Sequence, residues 1–176
     1  MKGMTLSWVV VAALLAVVPG MAQEATAPGC GDPAARFEVQ KMKGGKPTPA
    51  VPGKAMVIVI EDDTSFASIS KPTARIGVDG RWVGATHGNS FLEFAVDPGV
   101  HHLCSSWEPM HRAGKMGMAA AHFTAEAGEV YYFEVKDEYL MGDTGYILNS
   151  QLKPMDSDEG NLVIDRYEKA NSTLKK

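Results

Sequence analysis

The chain has 176 residues, 45% hydrophobic and 22% charged, with a formal net charge of −4. Its charge is mildly acidic and no dense lysine or arginine cluster is present, which excludes the electrostatic signature of a nucleic-acid binder. There are two cysteines, with no Cys-x-x-Cys and no third cysteine, and no low-complexity tract beyond the N-terminal arm.

Residues 1–22 read as an export signal. Lys2 supplies positive charge, Leu6 to Val18 is apolar apart from Ser7, and Gly20-Met21-Ala22 offers small residues for cleavage after Ala22. The apolar run is shorter than a bilayer span and no later run approaches one, so no transmembrane segment is expected after cleavage. The remainder suits one domain, exported to the periplasm or secreted. In that oxidising setting Cys30 and Cys104 are expected to form one disulfide, with a reactive thiol or a metal ligand as the competing readings.

Residues 23–54 are rich in Pro, Gly, Lys and Ala, centred on Lys43-Gly44-Gly45-Lys46-Pro47-Thr48-Pro49, and read as a surface arm held at one end. Only Arg36 to Val39 suggests a short strand there. Met56 to Ile60 is a continuous apolar, β-branched run, as in a strand buried on both faces. Glu61-Asp62-Asp63 to Lys71-Pro72 bounds a loop.

Strands at Thr73 to Val78 and Arg81 to Ala85 flank Asp79-Gly80, a pair suited to positive φ at both centres of a type I′ turn. That turn predicts Val78 opposite Arg81, Gly77 opposite Trp82 and Ile76 opposite Val83. Ile76, Val78 and Val83 then face the core, and the Trp82 ring covers the bare backbone of Gly77. After a turn at His87-Gly88-Asn89, Phe91 to Val96 alternates as a half-buried strand, with Leu92, Phe94 and Val96 on one face.

Further strands are expected at Val100 to Trp107, Ala119 to Thr124, Val130 to Val135 and Tyr146 to Leu152. The Glu108 to Met118 stretch is a loop. Asp156 or Ser157 should cap a helix reaching about Ala170, with Leu162, Val163 and Tyr167 as its buried stripe. These elements make an all-β chain: a single antiparallel β-sandwich of seven or eight short strands, with a Pro/Gly-rich N-terminal arm and a short C-terminal helix.

Val78-Asp79-Gly80, Val83-Gly84, Phe94, Pro98-Gly99-Val100-His101 and Ala127-Gly128 before Tyr131-Tyr132 resemble PEGA-like domains. Within these, the resemblance is to an uncharacterised family of exported bacterial envelope proteins and lipoproteins. It covers about residues 55–155, leaving 156–176 as the C-terminal helix and tail. It implies a small envelope domain without a known catalytic set or cofactor. Cys104 with Trp107, and the arm carrying Cys30, depart from the wider pattern and suggest an arm stapled to the sheet. Ala27-Pro28-Gly29 before Cys30 lacks the leucine of a lipoprotein signal.

Chemistry-bearing groups are sparse. His101 and His102 are adjacent on a strand, so their side chains point to opposite faces. His101 is expected to hydrogen-bond the turn backbone. Met110, His111, Met116 and Met118 mix thioethers with an imidazole, a donor set suited to copper(I), although Arg112 and Lys115 place positive charge beside it. Ser90 near His87, and Ser105 or Ser106 near His102, lack a nucleophile elbow and an acidic partner. The acidic runs Glu61-Asp62-Asp63 and Asp156-Ser157-Asp158-Glu159 lack the spacing of a calcium loop. Phe91, Trp107, Tyr131 and Tyr132 suit either core packing or an exposed binding face. The expectation is a non-enzymatic envelope accessory or interaction module without cofactors, whose partner is an envelope protein or glycan. The alternative is a periplasmic copper-handling protein using the Met/His loop.

Overall fold

The computed structural model describes residues 30–62, 72–108, 118–142 and 145–176. The expected export signal and the Met110, His111 and Met116 positions lie outside these residues. The described chain is all-β with one short helix: β1 Phe37–Met42, β2 Ala55–Asp62, β3 Thr73–Val78, β4 Arg81–His87, β5 Ser90–Val96, β6 Gly99–Trp107, β7 Met118–Ala125, β8 Val130–Gly142, β9 Gly145–Met155, α1 Ser157–Ile164 and β10 Glu168–Leu174.

The strands form two sheets. The larger has the order β1, β10, β5, β2, β8, β9, and the smaller β4, β3, β6, β7. Two pairings in the larger sheet are parallel, β2 with β8 and β10 with β5, where antiparallel pairing throughout was expected. The described residues contain ten strands, more than the seven or eight read from sequence.

Met56 to Ile60 is buried on both faces, as its unbroken apolar run predicts. Val57 and Val59 point into the core shared by the two sheets, with Leu92, Phe133 and Val135 from the larger and Ile76 and Leu103 from the smaller. Met56, Ile58 and Ile60 point the other way, against Phe91, Tyr132 and Ile164 of α1. The helix thus covers the second face of the larger sheet, each buried aliphatic chain there contributing about 2 kcal/mol. It also buries Phe91, so β5 is covered on both faces at its start and not half-buried as alternation suggested.

Asp156 caps α1, its Oδ1 accepting from Glu159 N at 2.8 Å. The helix ends at Ile164, well before Ala170, and the chain returns as β10. β1 pairs along its whole length with β10, Phe37 opposite Leu174 and Met42 opposite Lys169. The N-terminal arm therefore contributes a complete edge strand. It is also held at its far end: Glu93 accepts from Thr48 N at 2.8 Å and from Lys169, whose ammonium also donates to Thr48 Oγ1 at 2.9 Å. Burial opposes the charge on Glu93, but the bonds from Lys169 and Thr48 outweigh it and hold its carboxyl below the usual range.

The β3–β4 turn is the expected one, with positive φ at Asp79 (50°) and Gly80 (77°). Val78 faces Arg81 and Gly77 faces Trp82, but then the register shifts and Ile76 faces Gly84. Val83 is the extra residue of a bulge and is 37% exposed, which removes it from the predicted core face. The shift places Gly84 where a Cβ would stand 2.6 Å from Ser172 Oγ. That close approach lets Ser172 of β10 accept from Ala85 N of β4 at 2.9 Å, joining the two sheets.

Candidate functional site

Cys104 is on the outer face of the smaller sheet, and Cys30 reaches it to form a disulfide with the Cα atoms 5.6 Å apart. Segment 30–36 consequently lies across β3, β4 and β6. It covers Gly77: a Cβ there would meet the Cys30 carbonyl oxygen at 2.7 Å. The Trp82 ring was expected over Gly77 but packs against Gly31 instead, its indole Nε1 donating to Asp32 O at 2.8 Å.

Arg75 of β3 anchors this segment from below. Its side chain donates to Pro33 O (2.9 Å), Ala35 O (3.2 Å), Ser106 Oγ (3.0 Å), Ser106 O (3.4 Å) and Trp107 O (3.2 Å). Its guanidinium carbon is 4.6 Å from the Trp82 ring centroid, within cation–π range. Burial and nearby Arg36 lower its pKa, against the opposing pull of Glu108 and Asp32. A guanidinium keeps its charge under such conditions, and the carbonyl cage matches its planar fork of donors. Glu108 closes the arrangement by accepting from Phe37 N, which ties the start of β1 to the end of β6.

Beside the stapled segment opens a cleft of about 730 Å³. Trp82, Phe37 and Leu174 supply apolar lining, Arg36, Lys175 and Lys176 positive charge, and Asp32 a single acid. The lining reverses the sign of the chain's net charge. A cleft of this size with a few convergent charges suits an anionic group carried on an apolar or ring-bearing body.

His101 stands at the start of β6, as the sequence suggested. Its Nδ1 is 2.7 Å from Asp79 Oδ2 and its Nε2 2.6 Å from Asp97 O, with the Phe123 ring 5.6 Å away. Both ring nitrogens face acceptors, an arrangement that only the doubly protonated ring satisfies as donor twice. Burial disfavours that charge, yet the bonds to Asp79 and the Asp97 carbonyl prevail and raise the His101 pKa. Asp79 also accepts from His102 N at 2.9 Å, and these bonds together outweigh burial and lower its own pKa.

The remaining candidates are dispersed. Ser90 Oγ bonds the backbone of His87, accepting from its N at 3.2 Å. Ser106 Oγ serves Arg75, and Ser105 is fully buried. Glu61 is also buried, at the end of β2, and the second acidic run supplies the helix cap. Of the Met/His loop only Met118 is described; it opens β7 and is 61% exposed. Phe91, Trp107 and Tyr132 are core residues, the last donating to Asn161 Oδ1 at 2.9 Å. Tyr131 is half-buried and its hydroxyl accepts from Glu126 N.

Sequence reasoning missed Trp82, Arg36 and the C-terminal lysines as neighbours. The disulfide that draws segment 30–36 over the sheet was legible from the cysteine count, but the pairing of β10 with β1, which brings the C-terminal lysines to that segment, leaves no local pattern. No family model, curated protein or solved structure matches the chain.

Proposed function

We propose that this chain is a non-enzymatic, exported accessory module of the bacterial envelope, a PEGA-like β-sandwich that binds an envelope protein or glycan through its stapled face. The observation that carries this reading is the cleft beside Trp82, where apolar and basic side chains converge beside the disulfide-stapled segment. The disulfide is compatible with an oxidising compartment. No helix among the described residues is long and apolar enough to cross a membrane. Two of the candidate serines are engaged structurally, Ser90 with the His87 backbone at the β4–β5 turn and Ser106 with the Arg75 guanidinium.

The test is a photo-reactive residue at Lys175 in the full exported chain, irradiated in intact cells. A discrete adduct that disappears in R36E supports the reading. Adducts indifferent to R36E, or a reproducible hydrolytic activity of the purified chain, overturn it.

A further inference from the structure

His102 of β6 and His122 of β7 stand directly opposite each other. The backbone bonds of His102 define the kind of pair this is. Its carbonyl accepts from Asp79 N, and its N–H donates to Asp79 Oδ1, both at 2.9 Å. A strand residue sends its N–H and C=O to the same side, so His102 directs both toward the β3–β4 hairpin and away from β7. His102 and His122 therefore form a non-hydrogen-bonded pair, the closer antiparallel type, with Cα atoms about 4.5 Å apart and side chains on a common face.

That face is solvent-exposed at both histidines. The cross-strand pairs on either side, Val100 with Thr124 and Cys104 with Ala120, bring no cation beside the rings. The Asp79 carboxylate lies within electrostatic reach of His102 and favours a positive ion there. His101 points to the opposite face and is held by Asp79 and Asp97. Among the described residues no group of three or more His, Cys, Asp or Glu is arranged to hold a metal ion, so the protein donors on this face are the two imidazoles.

We propose that His102 and His122 chelate a divalent first-row transition-metal ion, copper(II) most tightly, with solvent completing its coordination. Imidazole nitrogens bind such ions at about 2.0–2.1 Å, so the two donor atoms must approach to about 3 Å. Rings on Cβ atoms about 5 Å apart converge to that distance by rotation about their side-chain torsions. Nitrogen donors of this kind rank the ions in the order zinc(II) and nickel(II) below copper(II). The site shares no residue with the Trp82 cleft and is independent of the partner-binding reading. It is also distinct from the Met110, His111, Met116 and Met118 set.

The test uses the full mature chain with copper(II), nickel(II) or zinc(II) salts as the probes. Calorimetry should give one ion per chain with copper(II) tightest, and paramagnetic nickel(II) should broaden the ring signals of His102 and His122 together, before those of the other histidines. H102N and H122N should each weaken copper(II) binding at least about tenfold, because losing a ligand should cost no less than losing its outer partner. A variant combining H111N, M116L and M118L should bind as the parent does. The proposal is overturned by no binding, by broadening centred on other histidines, or by copper affinity that follows the loop variant and ignores H102N and H122N. Broadening in the parent protein decides the matter even where a variant fails to fold.

Discussion

Gly77 of β3 sits opposite Cys104 of β6, so close that a Cβ on the glycine would stand 2.9 Å from the Cys104 sulfur. The absent side chain makes room for the disulfide to cross the sheet. G77A should destabilise the oxidised protein by about 1–3 kcal/mol, the usual cost of overpacking. The cost should shrink in a C30S/C104S background, where the sulfur bridge no longer presses on the site. Urea unfolding of the four proteins in this cycle measures the coupling, and an equal cost in both backgrounds would place the strain elsewhere.

The disulfide closes a sequence separation of 74 residues. Chain entropy assigns such a loop about 4 kcal/mol as an upper figure. C30S/C104S should lose up to that amount in chemical denaturation and should release segment 30–36 to proteolysis while the sheets persist. Mass mapping of the non-reduced protein should find the Cys30 and Cys104 peptides linked; two alkylatable thiols would contradict the pairing.

Arg75 is only 3% exposed and serves carbonyls on two chain segments, residues 33–35 and 106–107. R75M keeps much of the volume but strands those acceptors, and should cost about 3 kcal/mol. R75K should recover little, since an ammonium cannot reproduce the fork. A loss in R75M below about 0.5 kcal/mol, within the range of ordinary surface changes, would show that the cage is dispensable.

The Asp79–His101 contact makes hairpin stability depend on pH at both ends. His101 has a raised pKa, so its contribution is full below its unfolded value of about 6.5 and fades as pH rises through the folded value. Asp79 has a lowered pKa, so its contribution is full above about 3.9 and fades as pH falls through the folded value. The pair should stabilise most between those limits. Urea midpoints across pH should show a decline on the alkaline side that H101Q removes, whereas an H101Q profile parallel to the parent's would contradict the coupling. The effect should be modest, because the Asp79 side chain is 48% exposed.

Local signals made much of the sheet readable. Asp79-Gly80 specified its turn because few residue pairs tolerate positive φ twice, and Met56 to Ile60 announced double burial through unbroken apolarity. The bulge at Val83 had a cue, the glycine that follows it within the strand, which the symmetric hairpin reading passed over. β10 had almost none: Glu168 to Leu174 buries only Ala170 well, and Tyr167 fits a helical stripe equally well on paper. The cleft and the His102–His122 pair were illegible for the same reason. Each is created by register between distant segments, and the residues involved carry no mutual spacing in the chain.

Segment 30–36 is fastened across the outer face by the disulfide, with the Trp82 indole bonded to it. Hydrogen exchange of the Trp82 indole N–H, followed by NMR in oxidised and reduced protein, tests this most directly. The bond to Asp32 O predicts slow exchange when oxidised and a marked acceleration on reduction. Rapid exchange in the oxidised protein, or the same rate in both states, would contradict it.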